Sequence, residues 1–280
     1  MLHFPLDLDD MKYSLFILFI ILVVGVSCEK RNSYFSDIPV IESYLRPGDI
    51  PLVKISRQIP FSSDADYAPD DINSLEVRLI SGDISHTLSG AGDGIYSDST
   101  LKLEETDYKL SFVYNSKNVT ATTSVPCKPV DFAISDDKIS VVRMTSGSMG
   151  QMGSFQMPQP VYLTWTNDDD SYYLVVIECM EEDPDPVREL NDSIPVGGFR
   201  FRKRPTNSQG VEIRPQEFQY FGNHRVILFH VLPDYASLYD ESESSSQNLT
   251  NPSTSITNGY GIFTGMNSDT LFLKVNESAR

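Results

Sequence analysis

The sequence is poor in the residues that build metal sites, disulfide frameworks and cationic surfaces. Among 280 residues there are three Cys, four His and one Trp, and 22 Lys plus Arg stand against 39 Asp plus Glu. Three Cys are too few for a disulfide scaffold, and no CxxC or His/Cys cluster has the spacing of a structural zinc site. A formal charge of −17 leaves no cationic footprint for a phosphate backbone, which excludes nucleic acid as a partner. Long apolar runs are also scarce. The longest, Leu15 to Val26 (LFILFIILVVGV), has 12 residues, short of the roughly 18 that a membrane-spanning helix needs.

That run has the length of a signal-peptide core. Upstream of it Lys12 is the only basic residue, while Asp7, Asp9 and Asp10 make a poor leader, so translation from Met11 gives the more ordinary signal. The run ends at Gly25-Val26-Ser27-Cys28, which resembles a bacterial lipobox. The expectation is a signal peptide over residues 1–27 and a mature chain that begins at a lipidated Cys28. Acyl chains there, at about 0.8 kcal/mol per buried CH₂, would anchor the protein to a lipid bilayer without a protein span. Residues 28–37 then form a polar tether, compatible with a surface-facing or a periplasm-facing orientation. Removing residues 1–27, which carry three Asp and one Lys, leaves a charge of −15, so the acidity belongs to the exported body.

From residue 38 the dominant period is two. Leu75-Glu76-Val77-Arg78-Leu79, Leu101-Lys102-Leu103-Glu104 and Tyr108-Lys109-Leu110-Ser111-Phe112 alternate apolar and polar, the mark of strands with one wet face. Turn residues separate such segments at short intervals, which favours antiparallel sandwiches over a βαβ array. Pro126 and Pro129 bracket Cys127-Lys128 and cannot donate to a ladder, which places a domain boundary there. The reading is all-β: an N-terminal β-sandwich over 38–127, immunoglobulin- or transthyretin-like, and a C-terminal β-sandwich over 128–280, fibronectin-type-III-like. In the second, Val161–Trp165 and Tyr172–Cys179 are expected to form a hairpin across the acidic turn Asn167–Ser171. Asp234 is expected to cap the one short helix, and Met144–Pro160, Met180–Pro195 and Ser242–Thr257 read as long loops.

Several segments together carry a resemblance: Cys28-Glu29-Lys30, Val53-Lys54-Ile55-Ser56-Arg57, Ile59-Pro60-Phe61, Gly94-Ile95-Tyr96, Tyr108-Lys109-Leu110, Thr123-Ser124-Val125-Pro126 and Asn258-Gly259-Tyr260-Gly261-Ile262-Phe263. In this order they resemble the domain-of-unknown-function 4249 family of Bacteroidota outer-membrane lipoproteins. The resemblance implies an outer-membrane address and an accessory role beside a TonB-dependent transporter. It implies no catalytic residues. Asp98-Ser99-Thr100, Asp192-Ser193-Ile194 and Asp269-Thr270-Leu271 also match the short acceptor pattern of O-glycosylation in that phylum, at Ser99, Ser193 and Thr270.

Other residues are weighed one by one. Phe199-Arg200-Phe201-Arg202-Lys203-Arg204 is the one basic segment, with Arg200, Arg202 and Arg204 alternating outward as a contact face for an anionic glycan, a phosphate or an acidic partner loop, or else as charge that guards a sheet edge. Met149 and Met152, in a Met-rich loop, offer an apolar contact surface or, less readily, soft ligands for copper. Cys127 and Cys179 are left as two free thiols or one disulfide. Gly90-Ala91-Gly92-Asp93-Gly94 is read as a turn needing positive φ, not a phosphate loop, because no helix follows it. His224 and His230 share one side of a strand, and Asp168–Asp170 make an acidic turn. Neither arrangement supplies a full metal-ligand set. No cofactor and no enzymatic constellation is expected. The functional expectation is a non-enzymatic binding or accessory module, with a structural or assembly protein of the envelope as the alternative.

Overall fold

The computed structural model describes residues 37–57, 70–144, 159–188, 200–241 and 254–278. Cys28, Met149, Met152, Phe199 and Ser193 lie outside them. Within them the period-two pattern becomes strand. β1 (Pro39–Leu45) buries Ile41 and Leu45, and β2 (Leu52–Arg57) buries Val53 and Ile55. β3 (Val77–Ser81), β6 (Asp107–Tyr114) and β7 (Lys117–Ser124) turn Val77, Leu79, Tyr108, Leu110, Phe112, Val119 and Ala121 to the same core. The polar partner of each alternating pair faces water, as a half-buried sheet requires.

Two strands connect the layers of this first core. β4 (Ile84–Gly92) pairs with β3 through Ile84–Leu88 and with β5 (Ile95–Ser97) through Ser89–Gly92, with a bulge between Gly90 and Gly92. One strand therefore serves both layers, the corner expected of a curled sheet. Asp93 and Gly94 close the β4–β5 hairpin with φ of 52° and 70°. A Cβ on Gly94 would lie 1.9 Å from the Ile55 carbonyl oxygen, so only glycine fits. Tyr96 beyond the turn donates to the Ile72 carbonyl at 2.6 Å and accepts from the Leu75 amide at 2.9 Å. Leu101–Glu104, expected as a strand, joins no ladder. Its Leu103 is buried, and its backbone bonds with Gly48 and Asp49 of the β1–β2 turn instead.

The second core lies between unequal sheets. β8 (Val130–Ile134), β10 (Val161–Thr166) and β13 (Gly210–Ile213) form a three-stranded sheet in the order β13-β10-β8. Facing it are β11 (Tyr172–Cys179), β12 (Arg200–Arg202), β14 (Gly222–Val231) and β15 (Tyr260–Glu277), with β9 (Lys138–Val141) parallel to the end of β15. The expected β10–β11 hairpin is not formed, because the two strands belong to opposite layers. Burial gives the reason. β10 alternates and keeps one wet face, whereas β11 is buried along both: Tyr173, Val175 and Ile177 face Trp165 and the small sheet, while Leu174 and Val176 face the other way. A strand covered on both faces needs a layer on each side, so the Asn167–Ser171 turn crosses between layers. Buried Asn167 fixes that crossing by donating to the carbonyls of Ser171 and Asn207 at 3.0 and 2.8 Å.

The outer cover of β11 is a helix. α1 (Asp70–Asn73) is a single turn, and α2 (Pro233–Glu241) lays Tyr235 and Tyr239 on Leu174, Val176, Ile227, Val231 and Met266. Pro233 occupies its first turn, where the missing N–H costs nothing. Asp234 does not cap it. Leu232 supplies the first acceptor carbonyl, and Asp234 sits inside the first turn, accepting from the Tyr235 amide and the Thr264 hydroxyl at 2.8 Å each. A carboxylate there also favours the helix dipole.

β15 joins the two cores. Its 18 residues pair in parallel with β1 over Tyr260–Gly265 and antiparallel with β14 over Met266–Val275. One face carries Phe263 into the first core and Leu273 and Val275 into the second; the other presents Thr264 and Met266 to α2. Between Phe263 and Leu273 the segment 124–128 crosses the strand. Asn267 Nδ2 donates to the Pro126 carbonyl at 2.9 Å, Lys128 pairs with Asp269 at 2.9 Å, and a Cβ on Gly265 would meet the Ser124 oxygen at 2.1 Å. Residues 256–265, placed by sequence in the second domain, thus pack with the first core, and Ile38–Arg280 is one unit by its contacts. Gly261, at φ 101°, leaves the Ile41 carbonyl room that a side chain would fill. Among the described residues no helix is long and apolar enough to cross a membrane. The protein is all-β and sandwich-like.

Sharing β15 makes the two cores one cooperative unit. Phe263→Ala, which empties a fully buried ring site in the first core, is expected to cost about 3–5 kcal/mol. Trp165 is the sole tryptophan and lies in the second core, so its fluorescence reports that half alone. Its denaturation midpoint should fall together with the far-UV circular dichroism midpoint; a Trp165 transition left unmoved would mean that the cores unfold separately.

Candidate functional site

The in-register pairing of β12, β11, β14 and β15 lines up one row across four strands: Arg200, Glu178, Arg225 and Phe272. All four point to the α2 side of the sheet, beyond the part that the helix covers. Glu178 is buried, its side chain 9% exposed; its Oε2 accepts from Arg225 Nε, while its Oε1 is ion-paired with the Arg200 guanidinium without a hydrogen bond. A carboxylate taken out of water this far needs such partners. The arginines stay in solvent, at 64% and 48% exposure, and Phe272 is 63% exposed. In the next row Arg202 lies opposite Val176 and places its guanidinium 5.9 Å from the Tyr239 ring centre.

The reverse side of β12 is apolar and anchored. Phe201 packs edge-on against Phe218 at 5.6 Å, as the Phe/Arg alternation predicts, and Lys203 pairs with Glu217. Arg204 lies beyond the strand end, exposed and with an interaction of its own. The arginine alternation was visible in the sequence, but Glu178 was not singled out. Its signal was present all the same: one acid inside the apolar run Tyr172–Cys179 must be paired once that run is buried.

The α2 edge of this face holds an aromatic group. Tyr44 of β1 meets Tyr235 at 6.0 Å edge-on, and Tyr235 meets Tyr239 at 6.0 Å. Burial, aided by the hydrogen bond with Tyr239, pushes the Tyr235 hydroxyl up to about 12. The Tyr235 phenol therefore stays neutral at any physiological pH.

The remaining sequence candidates are dispersed. Cys127 and Cys179 are both free. Cys127 lies 3.9 Å from Nδ1 of His230, whose register partner is Tyr173, while Cys179 is opposite His224. Six strand residues, roughly 20 Å, separate those positions, and a disulfide needs Cα atoms within about 7 Å. The disulfide alternative is thereby overturned. The same spacing keeps His224 and His230 from sharing an ion. His230 donates from Nδ1 to the Cys127 carbonyl at 3.0 Å and stacks on Tyr173 at 4.8 Å, and His224 donates to the Gly222 carbonyl at 3.1 Å.

The acidic segments are engaged within the fold. Asp169 and Asn167 accept from the Ser171 amide, and Glu181 accepts from the amide and side chain of Asn223. Arg143 takes Asp185 with both terminal nitrogens, at 2.9 and 2.6 Å, reaches Glu277 at 3.0 Å, and lies 4.6 Å over Phe221. That hydrogen-bonded pairing holds the Asp185 carboxyl below the usual carboxylate range. The segment 180–188, read as part of a long loop, is therefore tied down, with Val187 buried. Among the described residues no group of three His, Cys, Asp or Glu could hold a metal. Ser99 is exposed in a turn, and Thr270 is exposed on β15.

No family model matches the chain, and no curated protein does. Among solved structures, a crystal structure of titin domains aligns at 12% identity and a TM-score of 0.19, covering 70% of this chain and 61% of that one. A Salmonella alpha-2-macroglobulin variant aligns at 7% identity and a TM-score of 0.23, covering 87% of this chain and 15% of that one. This chain spans less than two thirds of either, and the fold assignment rests on the strand pairing itself.

One titration follows from the core face of β14. Burial pushes the His224 imidazole below its ordinary value of about 6.5, against weaker opposing effects of the Gly222 carbonyl and Glu181. The unfolded chain then takes up the proton first as pH falls. The stability that neutral His224 contributes is complete above about pH 6.5 and declines below it toward the native value. His224→Gln should flatten the loss of stability between about pH 7 and pH 5 in denaturant titrations, and an unchanged slope would refute the assignment.

Proposed function

We propose that this protein is a non-enzymatic binding or accessory module of the outer membrane, anchored by an acylated Cys28 and acting beside a TonB-dependent transporter. The observation that carries the binding role is the Arg200–Glu178–Arg225 row, with Arg202 beside it. An acidic body concentrates exposed guanidinium groups there on a rigid sheet, the setting in which cations recognise an anionic partner or ligand. The address is supported by the apolar run Leu15–Val26 and the Cys that closes it. Attachment by lipid suits a body with a charge of −15, because an anionic bilayer surface would repel it.

A second reading, a structural or assembly protein of the envelope, is favoured by β15, which makes two cores one stiff body. Gene deletion separates the two: reduced nutrient uptake fits the accessory role, whereas intact uptake with a weakened envelope fits the structural one.

Two measurements test the leading proposal. Cys28→Ala should move the protein from the membrane pellet to the soluble fraction, and retention in the pellet would refute lipid as the anchor. Capture of the native lipoprotein from detergent-solubilised outer membrane should bring a TonB-dependent transporter with it; recovery of the lipoprotein alone would remove the transporter from the proposal.

A further inference from the structure

We propose that the Arg200–Glu178–Arg225 row, with Arg202, is a binding site for a phosphomonoester. This deepens the reading of the chain as a binding module by naming the ligand chemistry. Each guanidinium has five N–H donors in a planar fork, and Glu178 offers only one oxygen to each. The unused donors of two partly exposed arginines therefore lie on either side of a single buried carboxylate. They come from strands flanking the same β11, so their Cα atoms are about 10 Å apart, at two strand spacings. Their heads converge on Glu178.

The charge balance selects the anion. Arg200, Arg202 and Arg225 against Glu178 leave a net charge of +2 among these four residues. A ligand carboxylate brings one charge and two oxygens, no more than Glu178 already supplies at closer range. A phosphomonoester brings close to two charges and three terminal oxygens, enough to engage two guanidinium forks at once while Glu178 keeps its bond from Arg225 and its ion pair with Arg200. The carbon skeleton has a surface to rest on. Phe272 is exposed beside Arg225, and Tyr239 lies under Arg202, so the phosphate site is bordered by aromatic faces on both rows. Phosphorylated sugars and phosphate-headed lipids share this chemistry.

The strand register makes the site rigid. Arg200 and Arg225 cannot separate without breaking β12 or β14 from β11, so little ordering is left to be done on binding. The row also differs from the other ion pairs of the described residues. Arg143 shows the reverse arrangement, one arginine held by two acids: it is largely buried at 17% exposure, and its two carboxylates leave it no net positive charge.

The test uses the full acylated chain in neutral maltoside micelles, titrated calorimetrically with inorganic phosphate, glucose 6-phosphate, glucuronate and soluble dihexanoyl phosphatidic acid. The phosphate compounds should bind, and glucuronate should bind at least about tenfold more weakly. Arg200→Gln and Arg225→Gln should each weaken phosphate binding about tenfold, and Arg46→Gln, which alters an exposed arginine of the β1–β2 turn, should leave it unchanged. Glu178→Gln should tighten binding, because it frees both guanidinium groups. Arg225→Lys, which keeps the charge and loses the fork, guards against a folding defect and should still weaken binding while Trp165 fluorescence stays native. Tighter binding of glucose 6-phosphate than of phosphatidic acid assigns the ligand to phosphorylated sugars, and the reverse assigns it to lipid headgroups. No heat with any phosphate compound, equal loss in Arg46→Gln, or weaker binding in Glu178→Gln would overturn the proposal. None of these results bears on the membrane address or on a transporter partner, which fractionation and capture decide separately.

Discussion

The structure depends on the fact that one strand is hydrogen-bonded into two sheets at once. β15 leaves its parallel pairing with β1 at Gly265 and begins its antiparallel pairing with β14 at Met266, without a turn between them. Nothing along this stretch can shift register independently. A slip of one residue would take Phe263, Leu273 and Val275 off their cores together and turn Thr264 and Thr270 toward those cores in their place. The two cores therefore fix each other's geometry through a single backbone, and the segment 124–128 that crosses over it is held by polar contacts to Asn267 and Asp269 and by the bare Gly265.

The outer face of the sheet inherits this rigidity. α2 can bridge Tyr44 of the first sheet and Met266 of the second only because β15 holds those two surfaces side by side. The helix covers the apolar part of the face, which begins at Leu174 and Val176, and stops short of Glu178. Where the helix ends, the sheet has to satisfy a buried acid with its own residues, and it does so by taking an arginine from the strand on either side. The charged row and the aromatic edge are thus consequences of the same partial cover.

Much of this was legible in the residues. Period-two alternation gave the strands, positive-φ turn chemistry gave the Asp93-Gly94 hairpin, and the Phe/Arg alternation gave the two faces of β12. Pairing between strands was less so, for physical reasons. Val161–Trp165 and Tyr172–Cys179 look like a hairpin because they are adjacent and joined by a turn. The clue against it was that Tyr172–Cys179 does not alternate, so it needed apolar layers on both sides. β15 was concealed by its composition: Gly261, Gly265, Asn267, Ser268 and Asp269 are all residues that interrupt strands elsewhere. Gly261 is tolerated because the Ile41 backbone lies close against it, and Gly265, Asn267 and Asp269 because the segment 124–128 passes against that face and uses their small size or their polar groups. Leu101–Glu104 has the alternation without the ladder, since its burial is supplied by a single leucine.

Acidity and cation placement are linked by the same logic. In a body with a charge of −15, an exposed arginine is attracted to the nearest carboxylate, and several of the described cations end in such pairs, among them Arg46 with Asp49, Arg78 with Glu76, Arg214 with Glu212 and Lys128 with Asp269. These one-to-one pairs are exposed, cancel locally and contribute little. Glu178 differs because it is buried and centred between strands. It can order two arginines but neutralise only one, and Arg202 lies opposite an apolar residue, Val176, not an acid. A surplus of positive charge among these residues is thus the outcome of register: alternation sets Arg200 and Arg202 outward on one edge strand, and the pairing partners available to them on β11 include a single carboxylate.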